Sequence, residues 1–316
     1  MAGIAVIVTH NSATEVEACL RALTSMAPQF TTVVVDNASQ DDTVARAGKH
    51  SGIELIVNGL NRGFAGAVNQ AVRHAQAHGL SYDFILLLNP DARILTGLDP
   101  LIQGSERYGL ASGKLVDQSG HAQKGFTIRR LPRPMDLAFE LFGLNRLWPS
   151  NSINRKYRYL DRDLESAGLV QQPAGAFLMI RKDVWERLHG LDDAFHPVWF
   201  EDVDFCKRAI DEGFQIQYIP SVVAEHVGGH SVGRIPESSR ALWWCASLLR
   251  YAGKHFRSVA YRGICLAVVL SSVPRMIAGI IRAGSVNPVV VYLRIIWVAG
   301  LCLLTPRHRR LGIGPN

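Results

Sequence analysis

The chain has 316 residues, 48% of them hydrophobic and 19% charged, which supplies a large core and excludes a disordered polyelectrolyte. The net charge of +7 is unevenly placed: residues 238–316 hold 11 Lys/Arg and no acid, leaving 23 basic against 27 acidic residues in 1–237, net −4. Because this basic tail is interleaved with runs such as ICLAVVL (264–270) and VVVYLRIIWVAGLCLL (289–304), it points to an anionic lipid surface as partner and away from nucleic acid.

In chain order, IAVIVT (4–9) predicts a buried strand and ATEVEACLRALTSM (13–26) an amphipathic helix. TTVVVDNAS (31–39) and IELIVN (53–58) predict two more strands, and GFAGAVNQAVRHAQAHG (63–79) a helix closed by Gly79. FILLLNPD (84–91) is a fourth strand that ends on an acid. The stretch 104–170 reads as loops and short helices. A strand at 177–181, a helix at 183–189, an acidic helix at 200–213, a last strand at 215–220 and a loop at 224–231 follow. Short apolar strands alternating with helices predict βαβ units and a sheet covered on both faces, with ligands met beyond the strands' carboxyl ends. Five cysteines lack any CxxC spacing, which predicts a reducing compartment and no structural zinc. The N-terminus enters an apolar run without a basic preamble, so no signal peptide is expected.

The polar strand ends carry the chemistry. Asp91 reads as a turn or cap residue, or as a carboxylate for Mg²⁺ or Mn²⁺ shared with substrate phosphates; Asn89 could bond sugar or turn groups. Asp36 reads as a turn residue, or as an acceptor for a nucleobase N–H or ribose hydroxyl, with Thr9, His10 and Asn11 completing a pocket. In NRGFAGAVNQA (61–71) there is neither GxGxxG nor GxxxxGK[ST], so the Rossmann and Walker readings fail. Gly63, Ala65 and Gly66 still allow close backbone approach, Arg62 can face an anion, and Asn69 lies two turns on. In WFEDVDFCKR (199–208) three acids fall within four residues. A helix start favours one or two, which leaves Glu201 or Asp202 to act as a general base. AEHVGGHS (224–231) offers His226 and His230 as metal or diphosphate contacts, with Arg234 and Arg240 beyond.

VIVTHNS, VVVDNASQDDT, NRGFAGAVNQA, LLLNPDA, GAFLMIRKDVWERLHGLDDAF, FEDVDFCKRAIDEGF and EHVGGHS occur in that order. Together they resemble the inverting family 2 glycosyltransferases with the GT-A fold, in the rhamnosyltransferase-like branch, over roughly residues 3–235. The resemblance implies an α/β, Rossmann-like mixed sheet with helices on both faces. It implies a transferase domain over 1–237; residues 238–316 lie outside it, and their charge and apolar runs predict a helical membrane-associating extension. It assigns Asp36, Thr9 and Asn11 to the nucleobase, Asn61, Gly63, Phe64 and Ala65 to the nucleoside and sugar, Asp91 and His226 to the metal, and Asp202 to the base with Glu201 beside it. Asn89 departs from the family's DxD pattern and leaves one carboxylate there. The implied donor is a dTDP- or UDP-linked sugar, L-rhamnose by analogy, transferred to a lipid-linked or cell-surface glycan.

The implied setting is the cytoplasmic face of the cell membrane, by an interfacial helix or a tilted hairpin of 264–281 with 289–304. A buried helix or a homodimer interface is the alternative for that tail. The basic segment 124–158, with Arg129, Arg130, Arg133, Arg155 and Lys156, is placed to meet an acceptor's diphosphate. The competing functions are a nucleotidyltransferase, which would want a basic Gly-rich signature where HNSATEV stands, and a non-catalytic glycan- or sugar-nucleotide-binding protein.

Overall fold

The computed structural model describes residues 2–228, Gly233 and 236–304. The chain divides into two units. The first comprises Met1–Leu131, Arg158–Asp193 and Glu201–Ser231; the second comprises Pro132–Tyr157, Ala194–Phe200 and Val232–Asn316. The helical unit therefore takes in 132–157 and 194–200, which the sequence reading places inside the first domain.

The elements of the first unit begin with β1 (Gly3–Thr9), α1 (Val16–Met26), β2 (Phe30–Asp36), α2 (Thr43–Ala47), β3 (Ile53–Val57), α3 (Gly63–Ala77) and β4 (Phe84–Leu88). They continue with β5 (Ala92–Ile94), α4 (Asp99–Tyr108), β6 (Gly109–Val116) and β7 (Ile128–Arg129). The second unit supplies α5 (Pro134–Leu141), α6 (Leu144–Leu147) and α7 (Ser152–Tyr157). The first unit resumes with β8 (Gly168–Val170), β9 (Gln172–Pro173), β10 (Phe177–Arg181), α8 (Lys182–Arg187), α9 (Glu201–Asp211) and β11 (Gln215–His226).

The sheet runs β3-β2-β1-β4-β10-β6-β11-β5, with β8 beside β11. Strands β1 to β4 are parallel, β10 is antiparallel to β4 and β6, and β11 is parallel to β6. The alternation predicted by the strand pattern sorts the core. Ile4, Val6, Val33 and Val35 face one cluster with α3, α8 and α9 residues such as Val68, Val184 and Phe205. Ala5, Ile7 and Val34 face the other with Leu20, Leu23, Leu101 and Ile102. Each fully buried Val, Leu, Ile or Phe contributes about 1.5–3 kcal/mol, and a one-residue slip would exchange the two sets and mismatch both clusters.

Two elements differ from the sequence reading. Strand β6, GLASGKLV, lies where loops were expected, because its small and charged residues hide a central strand. Gly113 is there for close approach: a Cβ would lie 2.4 Å from the Phe177 ring and 2.5 Å from the Val222 carbonyl oxygen. Strand β11 runs six residues beyond Pro220 to His226. Proline lacks a ladder donor, and the register shifts between Ile219 and Val223 before pairing resumes. Residues 224–226, expected in a loop, are therefore strand. Strand β2 ends at Asp36, as the pattern suggests, and β4 ends at Leu88, three residues before Asp91.

The second unit is helical. Asp136 bonds back to the Arg133 amide and guanidinium at the start of α5, with Pro134 at the first helical position. It ends in α10 (Glu237–His255), α11 (Ser258–Ala283) and α12 (Asn287–Leu304). Helices α11 and α12 form a hairpin turned at Gly284, whose φ of 59° and amide bond to Ile280 O make a left-handed cap. Both are long and apolar enough to cross a membrane, with only 33% and 17% of their apolar windows buried, unlike core helices. Arg275, in the middle of α11, donates to the carbonyls of Glu140 and Leu141 at the end of α5.

Candidate functional site

The carboxyl ends of β1, β2 and β4 fall at one sheet edge. Thr9 is level with Asp36 in the ladder. Val6 pairs with Leu87, one residue before β4 ends, and Asn89–Asp91 follow beyond that end. Strand order reverses at β1, between β2 and β4; such a switch point is where open α/β sheets bind ligands. Strand β10 is antiparallel and brings its amino end, after Gly175 and Ala176, to the same edge.

The first station is the β1–β2 corner. Thr9 Oγ1 donates to Asp36 Oδ1 at 2.8 Å, and Ser39 donates to both Asp36 oxygens through its hydroxyl and amide. Asp36 is 1% exposed. Thr9 and Asp36 thus fasten two strand ends to each other, and Asp36 takes the turn role that was one of its two readings. Asn11, at φ 53°, accepts from the Gln40 amide. Asn37 links this corner to α3: its Nδ2 donates to Gly63 O, and its Oδ1 accepts from Asn58 and from the Arg62 amide. Asn61 Oδ1 caps the Gly63 amide at 2.8 Å. Gly63 has φ 74°, a conformation that a side chain would strain. Behind it Phe64 is half-buried, Ala65 buried and Arg62 exposed, and the α3 amino terminus is a place for an anion.

Asn69 is a correction. Its amide nitrogen donates to Leu191 O and Asp193, and its oxygen accepts from the Leu191 amide. It ties α3 to the segment after α8 and is not turned to a ligand.

The second station joins Asp91 to the end of β11. His226 Nε2 lies 3.4 Å from Asp91 Oδ1 and 3.4 Å from Asn89 Nδ2, and both Asp91 and His226 are buried. Gln123 grips the same histidine through Nδ1 at 3.1 Å and through its backbone carbonyl, and the Phe126 ring stacks on it at 5.1 Å. If Nδ1–H donates to Gln123 Oε1, the Nε2 lone pair faces the carboxylate. Those two repel unless a proton or a metal ion lies between them. Burial by itself raises the Asp91 carboxyl; the His226 imidazole and the Gly228 amide outweigh it and hold it below the ordinary range. Among the described residues no group of three or more His, Cys, Asp or Glu converges on one point. His230 and Arg234 lie outside the described residues; Arg240 is in α10, in the second unit.

The third station is the start of α9, entered through Trp199 and Phe200 at φ 81° and 70°, an uncommon pair for bulky residues. Its three acids part company. Asp204 pairs with Arg208 at 2.8 Å, and Arg208 also donates to the carbonyls of Leu188 and Gly190. Asp202 Oδ1 accepts from the Val203 amide; Oδ2 accepts from the Gly175 amide at 3.0 Å and from Gln172 at 3.4 Å. The next residue after Gly175, Ala176, accepts from the Asn89 amide at 3.0 Å, so one short segment touches both Asp202 and the Asn89–Asp91 turn. Glu201 is 5% exposed, and its Oε2 has no hydrogen-bond partner among the described residues. Burial, then the neighbouring Asp202, push its carboxyl well above the ordinary range. Burial also raises Asp202, against the Gly175 and Val203 amides and Arg129.

Residues 4–188 match the family model Glycosyl transferase family 2. The chain belongs to that family and is a glycosyltransferase. Its sequence is 24% identical over 257 residues to Rhamnosyltransferase WbbL of Escherichia coli K12, covering 79% of this chain and 92% of that protein. The fold is shared with GalNAc-T7, crystallised with UDP, GalNAc and Mn²⁺, at TM-score 0.55 and 12% identity. The match covers 80% of this glycosyltransferase and 47% of that chain, about half its length. It is also shared with the mannosyltransferase PcManGT from Pyrobaculum calidifontis, in complex with GDP-Man and Mn²⁺, at TM-score 0.50 and 17% identity, over 97% and 81% of the two chains. These likenesses establish the GT-A architecture.

Against this family frame, the sequence reading missed Asn37, Ser39, Gln123, Gln172 and Gly175. Only Asn37 had a local signal, beside Asp36 at a strand end. The partners of the others lie 3 to 103 residues away and become neighbours only on folding.

Proposed function

We propose that this glycosyltransferase moves a sugar, L-rhamnose by its likeness to WbbL, from a dTDP- or UDP-linked donor to a hydroxyl of a lipid-linked glycan, by one displacement with inversion. The carrying observation is the single edge at which the β1–β2 corner, the Asp91–His226 pair and Asp202 stand, the last two joined through Gly175 and Ala176. The nucleoside lies along the β1–β2 corner, with Asn11, Asn61 and Arg62 at its rim and the α3 amino terminus behind it. Asp202, raised by burial yet bonded to two amides, takes the proton of the attacking hydroxyl.

The donor set suits a hard divalent cation. Asp91 would hold it through a carboxylate oxygen and His226 through Nε2, leaving room for phosphate oxygens. Mg²⁺ or Mn²⁺ bound there would supply positive charge for the departing diphosphate. Asn89 in place of an acid makes binding depend more on the diphosphate.

The α11–α12 hairpin supports seating on an anionic membrane surface on the cytoplasmic side. Arg275 is answered by backbone carbonyls beside α5, which favours shallow insertion over a full span. The deciding experiment titrates a panel of dTDP- and UDP-sugars against the full chain, with and without Mn²⁺. Saturable binding of a dTDP- or UDP-sugar, strengthened by the ion, supports the reading; no binding by any of the panel contradicts it.

A further inference from the structure

We infer that Arg129 is a positioning residue of the reaction centre: carried on the β7–β9 ribbon, its guanidinium faces Asp202 through space and holds that carboxylate ready without bonding to it. The inference rests on the base reading of Asp202. In the ribbon Arg129 stands opposite Gln172, and the Gln172 side chain reaches Asp202 Oδ2 at 3.4 Å. Three residues further on, Gly175 donates its amide to the same oxygen. The ribbon therefore brings both strands to the first turn of α9.

Arg129 is held at its Nε and over one face of its guanidinium. Its Nε donates to Gly125 O at 2.6 Å, and its plane lies over the Phe126 ring at 5.9 Å. Neither bond takes an Nη group, and no ion pair joins it to Asp202, although its charge acts on that carboxyl. A direct salt bridge would occupy the lone pair that must accept a proton. A guanidinium held a short distance off keeps the carboxylate ionised and leaves its oxygens available.

Among the described residues, Arg129 is the cation whose charge acts on Asp202. The groups around it are Glu201 and Cys206 on its own helix, Gln172 on β9 and Arg129 on β7. Asp204 is taken by Arg208. On β11, which packs on the same helix, the Tyr218 hydroxyl donates to Leu164 O. Of the basic residues expected to meet an acceptor, Arg133, Arg155 and Lys156 fall in the second unit; Arg129 and Arg130 fall in the first, with Asp202, and Arg130 lies over the Tyr159 ring at 5.4 Å.

The test is a pH titration of the Asp202 carboxyl carbon by NMR in the full chain, with Asp202→Asn assigning the signal. Arg129→Gln keeps a donor for Gly125 O, Arg129→Met removes it, and Arg129→Lys keeps the charge. In either neutral variant the midpoint rises by about one pH unit, a roughly tenfold change in the protonation equilibrium; in the lysine variant it stays near native. An unmoved midpoint in whichever neutral variant melts like the native protein overturns the inference. So does a lysine variant that shifts as far as the neutral ones. Failure of the base reading would show separately, as donor turnover surviving in Asp202→Asn, and leaves the titration result standing.

Discussion

Glu201 carries a carboxyl oxygen with no partner among the described residues at 5% exposure, and its position decides the sign of a pH effect. Burial, then Asp202, raise its folded-state pKa well above the ordinary glutamate range. The folded protein therefore holds a proton that the unfolded chain releases. Stability is fully present below the ordinary range and is lost as pH rises through the window up to the raised value. Glu201→Gln removes that window. Melting temperatures from about pH 5 to about pH 9 should fall less in the variant than in the native protein; parallel curves would contradict the assignment. Asn69 gives a second test. Asn69→Ala leaves the Leu191 amide without an acceptor, at a cost of about 1–3 kcal/mol. Denaturant melts should show the loss, while affinity for the donor per folded molecule is unchanged. At this scale the sequence was partly legible. Acids at strand ends stand out because a buried strand has no other use for them. Gln172 and Gly175 do not stand out, and Arg129 reads only as an acceptor contact, because their meaning comes from Asp202, 30, 27 and 73 positions away.

Among the elements, the β1–β4 half was readable because apolar runs with short loops leave little choice of structure. β6 was not, since its Gly and Lys residues lower strand propensity and burial between β10 and β11 overrides it. Likewise Pro220 reads as an end when only two strands' worth of local pattern is in view, yet a bulge absorbs it and carries His226 to the edge. Gly113→Ala tests β6. The added methyl meets Phe177 and the Val222 carbonyl and should cost about 1–3 kcal/mol, read as a lower denaturant midpoint at constant slope. A native midpoint would mean the strand is packed more loosely than described. Gly63→Ala belongs to the same scale. The φ of 74° makes any side chain strained there, and the expected outcome is weaker donor binding as the α3 start shifts.

Over the whole molecule, charge and hydropathy separate what the sheet does from what the tail does. Net −4 over 1–237 sits beside 11 basic residues and no acid over 238–316. With each surface-near basic residue worth about 1 kcal/mol on an anionic bilayer, the full chain should sediment with anionic vesicles at low salt. It should sediment less at high salt and little with neutral ones. Equal recovery on neutral vesicles would assign binding to the apolar faces alone. None of this alters the chemistry proposed at the sheet edge, where the account stands or falls on a division of labour between Asp91 and Asp202. The most direct measurement compares Asp91→Ala and Asp202→Asn for donor affinity and donor turnover, with Mn²⁺ present. Asp91→Ala should lose affinity for the donor. Asp202→Asn should bind it as the native enzyme does and turn it over about 10²–10⁴-fold more slowly. Native turnover in Asp202→Asn, or native affinity in Asp91→Ala, would contradict the account.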